Sequence, residues 1–294
     1  MSALIRTVVA SGLLAGYESA GFLGSRPMSE NPLRFVTFLA PSIRPLYQFI
    51  ADYVGQQLGI ATELSVGVNY SRATDGSMDV GFICGLPYVL LTRENPASMY
   101  PVAAPVLQGD RYRDHPIYFS DVIVKRDSSF NNFEALRGRR WAFNEPLSQS
   151  GYGIVRQKLI EMGETDGFFG EVIESGYHQR SIRLVQTGEV DASAIDTQVL
   201  GVAMRKHPQL QEKIRVIDAL GPSTIQPVVA SGSLPASLRA DLAAVLKQMG
   251  DDPAARSALD QGLVRRFEAV DEGSYSDIRE MVRTAEALDF TDIR

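Results

Sequence analysis

Apolar and polar positions along the chain fall into two runs of the same order. Leu33 to Ala40 is a β-rich apolar run stopped by Pro41. From Ile43, the residues Leu46, Tyr47, Ile50, Val54 and Leu58 recur at helical spacing, and Gly59 closes that helix. Thr62 to Val68 alternates as a strand does, and Gly76-Ser77-Met78-Asp79 leads into the apolar strand Val80 to Cys84. The second run begins with a short helix, Phe133 to Leu136, and a strand, Arg140 to Phe143. A polar loop, Asn144 to Gly153, opens a helix carrying Ile154, Val155, Leu159 and Ile160. Phe169 to Ile173 reads as a strand, and a helix from about Gln179 carries Ile182 and Val185. Gly188-Glu189-Val190-Asp191 then leads into Ala192 to Ile195. Gly-x-apolar-Asp thus precedes a strand in both halves. Strands alternating with helices predict parallel sheets covered on both faces.

Ile117 to Lys125 and Ile225 to Ala230 read as strands that cross between the two halves, with helical patterns at Leu238 to Met249 and Ile278 to Leu288. A chain that crosses twice returns its C-terminal helices to the first lobe. The expected domains are a leader over 1–30, a first lobe from 31–118 plus 226–294, and a second lobe from 119–225. Two α/β lobes joined by two strands make a hinged cleft, and ligands of such sheets bind beyond the C-terminal strand ends.

The chemistry expected at those strand ends is polar and sparse. Ser148-Gln149-Ser150-Gly151-Tyr152-Gly153 follows a strand and opens a helix, where free N–H groups and the helix dipole attract anions. The same serines also suit plain helix capping. No Lys-Ser or Lys-Thr ends the loop, so it is not a nucleotide P-loop. His178, after Ser175-Gly176-Tyr177, falls at the same cleft edge and titrates near neutrality. Asp196 ends a strand and either caps the next helix or accepts from a protonated ligand oxygen or an amine. Ser42 and Arg44 form the first lobe's counterpart of the serine loop. Tyr88 supplies a hydroxyl after Cys84-Gly85, and Tyr118 and Ser120 lie at the crossing. Cys84 reads as a buried small residue.

Composition narrows the class. The 294 residues hold 29 Lys+Arg and 35 Asp+Glu, a net charge of −6 that carries no nucleic-acid footprint. One Cys excludes a disulfide framework, and three His, at 115, 178 and 207, show no metal-ligand spacing. No Gly-x-Ser-x-Gly elbow and no paired carboxylates appear, so binding is the simpler expectation than catalysis. Near the N-terminus, Thr7 to Ala15 is too short and weakly apolar to span a bilayer. It reads either as a poor secretory h-region, cleaved near Ala20 to Gly24, or as residues upstream of a start at Met28. The first implies a periplasmic protein, the second a cytoplasmic one.

The run Phe143-Asn144-Glu145-Pro146-Leu147-Ser148-Gln149-Ser150-Gly151 resembles the anion loop of the phosphate/phosphonate-binding subunits of ABC transporters. So does Ser175-Gly176-Tyr177-His178 with Ile182, Val185, Gly188 to Ala192 and Asp196, as do the strand Tyr118 to Val124 and the helix Phe133 to Gly138. The similarity spans about residues 33–240. It implies an α/β, two-lobed periplasmic-binding-protein-like fold (type II, Venus flytrap) with two crossover strands. It implies capture of a small anionic ligand and delivery to an ABC permease, by a monomer without cofactor or catalysis. Ser148, Gln149, Ser150 and Gly151 would grip the anion, with His178 as a further donor and Asp196 at an acidic or polar pocket position. In the family, Thr usually stands where this chain has Gln149, and an aromatic commonly sits near Cys84, a role Tyr88 takes here. The alternatives on the same fold are an enzyme resembling the thiamine-pyrimidine-precursor synthases and a ligand-sensing domain.

Overall fold

The computed structural model describes residues 31–293; the leader expected over 1–30 lies outside them. The chain runs through β1 (Leu33–Thr37), α1 (Arg44–Leu58), β2 (Thr62–Val66), β3 (Val80–Phe82), α2 (Gly85–Glu94) and β4 (Met99–Leu107). It continues through β5 (Ile117–Lys125), β6 (Arg140–Phe143), α3 (Ile154–Glu161), β7 (Glu171–Glu174), α4 (His178–Thr187), β8 (Ala192–Asp196), α5 (Thr197–Lys206) and β9 (Ile214–Thr224). It ends with β10 (Val228–Ser231), α6 (Ala236–Met249), α7 (Arg256–Gln261), β11 (Val264–Glu268) and α8 (Ser276–Ala287).

These strands build two sheets, ordered β11-β4-β10-β3-β1-β2 and β7-β6-β8-β5-β9. Each sheet is the floor of one lobe. Both are mixed rather than parallel, which corrects the sequence expectation. In the first, β1 pairs parallel with β2 and β3, but β10 and β11 run antiparallel to their neighbours. In the second, β6 pairs parallel with β7 and β8, but β5 is antiparallel to β8 and β9. β5 and β10 enter their sheets directly from the other lobe and run against their neighbours there, because a strand that arrives that way does not come through a helical crossover.

The repeated Gly-x-apolar-Asp motif has the same structural role in both lobes. Asp79 accepts from the Arg34 amide (2.8 Å) and from its guanidinium (2.9 Å), while Arg34 also reaches Gly76 O (2.8 Å). Asp191 accepts from the Arg140 amide and guanidinium, both at 2.9 Å, and Arg140 reaches Gly188 O at 3.0 Å. Each clamp fastens the turn before an inner strand to the start of its neighbour. Gly76 (φ 81°) and Gly188 (φ 78°) turn the chain through the left-handed region that side-chain-bearing residues avoid.

Apolar faces close over both sheets. In the second lobe Trp141 stacks on Phe169 at 4.6 Å, and Phe133 on Phe168 at 5.4 Å. A smaller core joins Val36, Met78, Tyr88, Tyr275 and Ile278 beneath α2 and α8. The two crossings run side by side: β5 and β9 stay paired to Ile117 and Thr224, and Ile225 N donates to Pro116 O at 3.0 Å. The expected crossing strand Ile225 to Ala230 divides into a break, 225–227, after β9 and the first three residues of β10. α6 returns to the first lobe against α1, β4 and β11. α8 does not simply return: it packs on α2 of the first lobe and on α3 and β9 of the second.

Candidate functional site

The order β7-β6-β8-β5 sets the C-terminal ends of three parallel strands side by side at one sheet edge. The segment after β6 carries the serines, the segment after β7 carries His178, and β8 ends in Asp196. Two main-chain bonds hold the first two together: Ser175 N to Phe143 O (2.8 Å) and Gly176 N to Asn144 O (2.7 Å). β5 brings Ser120 opposite Asp196 in the antiparallel ladder. Ser148, Gln149, Ser150, Gly151, His178, Asp196 and Ser120 are therefore neighbours, and all are buried.

The serine loop is a π-turn, Gln149–Gly153, leading into α3. Ser148 caps it, its hydroxyl accepting from Gly151 N at 3.0 Å, while Gly153 N reaches back to Ser148 O at 2.9 Å. The amides of Ser148, Gln149, Gly151, Tyr152 and Gly153 already have acceptors, so capping uses most of the loop's N–H groups and the anion-binding reading falls on the two serine hydroxyls and the Ser150 amide. A Cβ on Gly151 would lie 1.9 Å from Asn144 Oδ1 and 3.3 Å from His178 Cε1, so no other residue allows this approach. Ser120 Oγ donates to Ser150 O at 2.5 Å and fixes the loop from below.

Ser150 Oγ lies 2.9 Å from His178 Nε2 and 3.4 Å from Ser148 Oγ. Burial drives the His178 pKa down to about 4, so the imidazole is neutral at pH 7. It therefore offers hydrogen bonding without the tunable positive charge the sequence suggested. Asp196 behaves oppositely: burial pushes its carboxyl up to about 6, against the amides of Val199 and Gln198 that hold it down. It caps α5 by accepting from those two amides at 3.2 and 2.8 Å. Burial likewise raises the Cys84 thiol to about 11, which keeps it protonated.

The first lobe faces this edge and touches it. Gln149 N donates to Cys84 Sγ at 3.3 Å, Gln179 Nε2 to Ser42 Oγ at 2.6 Å, and Tyr70 Oη to Glu145 Oε1 at 3.3 Å. Beside Ser42 a cavity of about 340 Å³ opens between α1 and α5, lined also by Leu46, Val202, Arg205 and Lys206. Tyr47, which the sequence pattern absorbed into the apolar stripe of α1, is the residue that reading missed. Its ring stacks on Phe82 at 4.5 Å, and its buried hydroxyl has no partner among the described residues. Burial, then Asp196 and Cys84, raise its pKa well above the usual phenol value. Asn144 Oδ1, Gln149 Oε1, Gln179 Oε1 and His178 Nδ1 are likewise buried without partners among the described residues. Unpaired polar atoms are costly, and those of Tyr47, Asn144, Gln179 and His178 gather where the lobes meet.

Two expected site residues are not brought there. Tyr88 is fully buried in the smaller core, edge-on to Tyr275 at 4.9 Å, and burial raises its pKa to about 12. It lies on the side of α2 that packs against α8. Arg44 is exposed on the first turn of α1. Among the described residues, no lysine or arginine belongs to the cluster around the serine loop. Its donors are hydroxyls, amides and a neutral imidazole, a set suited to the spread charge of a tetrahedral oxyanion.

A family model described as "ABC transporter, phosphonate, periplasmic substrate-binding protein" matches residues 37–275. Among solved structures, PhnD1 from Prochlorococcus marinus (MIT 9301), in complex with methylphosphonate, is similar at 19% identity and a TM-score of 0.74. The match covers 86% of this chain and 98% of that one. A binding-protein component of an ABC phosphonate transporter from Pseudomonas aeruginosa matches at 15% identity and a TM-score of 0.76, over 88% of each chain. A Xanthomonas citri protein bound to ATP matches at 18% identity and a TM-score of 0.65, over 88% of this chain and 99% of that one.

Proposed function

Because the chain belongs to the periplasmic substrate-binding proteins of phosphonate ABC transporters, we propose that its serine loop grips the phosphonate-like oxyanion in the interlobe cleft. The convergence of Ser148, Ser150, Gly151 and His178 at one strand edge facing the other lobe carries this reading. Ser148 Oγ, Ser150 Oγ and the Ser150 amide donate to the anion. The short contact between His178 Nε2 and Ser150 Oγ makes His178 the residue that sets the hydroxyl: Nε2–H donates to Oγ, which turns the Ser150 proton toward the ligand. Asp196, beyond the serines, accepts from an N–H or O–H of the ligand. Tyr47 Oη donates from the first lobe.

Such bonds to a charged oxygen contribute about 1.5–3 kcal/mol each when both partners are dry. Closure follows when the ligand binds the closed form better than the open one. Every residue in this scheme binds and none is arranged to break a bond, so we read the protein as a carrier without catalysis. It would work as a monomer in the periplasm, handing its ligand to a membrane permease.

A thermal-shift series with methylphosphonate, phosphite, phosphate and sulfate tests this. A ligand at one hundred times its Kd stabilises the folded state by about 2.7 kcal/mol, and at least one phosphorus oxyanion is expected to raise Tm while sulfate does so less. Equal response to all four anions, or to none, overturns the reading.

A further inference from the structure

Gln149 stands between the two serines, yet its side chain is engaged elsewhere. It is 0% exposed, and its Nε2 donates to Ser223 Oγ and to Met281 Sδ, each at 3.2 Å. Ser223 has a single hydroxyl proton, and Asp277 Oδ2 receives it at 3.1 Å. Ser223 Oγ must then accept from Gln149, which fixes the carboxamide orientation and the direction of the relay. Asp277 on α8 also accepts from Thr224 N (2.8 Å) and Thr224 Oγ1 (2.9 Å), at the last residue of β9 before the chain crosses back. Gly153 makes room for the arrangement: a Cβ there would lie 2.3 Å from Gln149 Oε1.

We propose that Gln149 is a positioning residue rather than a ligand donor. Through Ser223 it ties the serine loop to Asp277, so that Ser148 and Ser150 hold their anion-ready geometry while α8 is docked. The proposal rests on the reading of Ser148–Gly151 as the anion loop. Because α8 packs on both lobes, the relay connects the ligand loop to the crossing about which the lobes move. Gln149 thereby takes on at the hinge the place that a ligand-facing side chain would have in the cleft.

Four variants decide it, with methylphosphonate as the titrant in calorimetry. Gln149→Met keeps length and removes the donor; Ser223→Ala cuts the relay at a residue outside the ligand cluster; Ser223→Thr keeps the hydroxyl; the fourth combines the first two. Gln149→Met and Ser223→Ala are each expected to weaken binding about 5- to 20-fold, with the double variant no weaker than the worse single one, as for partners in one network. Ser223→Thr is expected to bind within about 2-fold of wild type, a rescue that loss of packing alone does not give. Should Ser223→Ala not fold, Gly153→Ala displaces the carboxamide with Ser223 intact and is expected to weaken binding similarly. Loss in Gln149→Met with Ser223→Ala unchanged shows that Gln149 touches the ligand and overturns the proposal. So do wild-type affinities in both. Failure of the wild type itself to bind methylphosphonate or phosphate is a different result: it removes the anion-loop reading and the proposal with it.

Discussion

Asp196 has two jobs that pull against each other. Its carboxylate caps α5, which favours the charged form, but burial raises its pKa to about 6 and favours the protonated one. A group raised in the folded state adds stability below its unfolded value, near 4, and loses it as pH rises through about 6. Asp196→Asn keeps a capping oxygen without the charge. It is therefore expected to raise Tm at pH 8, with the gain shrinking below pH 5; about 3 kcal/mol is the ceiling set by a two-unit shift. A Tm gain that does not vary with pH contradicts this. His178, depressed to about 4, works the other way: it stabilises above pH 6.5 and ceases to as pH falls through 4. At this scale the placement of the serines, His178 and Asp196 at one sheet edge was legible because each follows a strand and opens or precedes a helix. Tyr47 was not, since a tyrosine at apolar helical spacing looks like core until the opposite lobe is known. Tyr88 lies away from the cluster for a related reason: sequence places it one turn after Cys84, but which side of α2 it occupies depends on where α8 docks.

The π-turn at Gln149–Gly153 is the element on which the site depends. Hydrogen bonding from residue i to i+5 widens the turn, and such turns recur at functional sites. A glycine-rich loop permits close approach, but its sequence does not say what approaches. The structure answers with Asn144 at Gly151 and the Gln149 carboxamide at Gly153. Gly151→Ala drives a methyl into Asn144 Oδ1 and is expected to weaken anion binding at least tenfold, with about 1–3 kcal/mol lost from stability, the range for overpacking. Urea unfolding and a binding titration read the two effects separately, and wild-type values in both contradict the assigned packing. The two Gly-x-apolar-Asp motifs marked equivalent turns in both halves, and the Arg34 and Arg140 clamps supply the reason. The strand directions were hidden. β4 is a continuous apolar run interrupted by Pro101 and Pro105, without alternation, and nothing local says that it pairs with β10 and β11.

At the scale of the molecule, two mixed sheets face each other across a pair of adjacent crossings, and α8 spans the joint. The two-lobed plan was readable from the repeated order of elements. The bridging role of α8 was not, because its amphipathic pattern specifies a buried face but not two different surfaces to bury it against. Closure brings Cys84, Ser42 and Tyr70 of one lobe against Gln149, Gln179 and Glu145 of the other. Gln198 Nε2 on Gly262 O at 2.7 Å and the Arg205–Asp260 ion pair join the lobes as well, and a ligand shifts the open–closed equilibrium by its differential affinity for the two forms. That makes the serine loop the place where the account is most exposed. Calorimetric titration of methylphosphonate into the wild type and Ser150→Ala tests it directly. The account predicts one site per chain in the wild type and an affinity about 10- to 100-fold weaker in the variant, the equivalent of one hydrogen bond to a charged oxygen. Binding of equal strength in the two proteins, or none in the wild type, contradicts it.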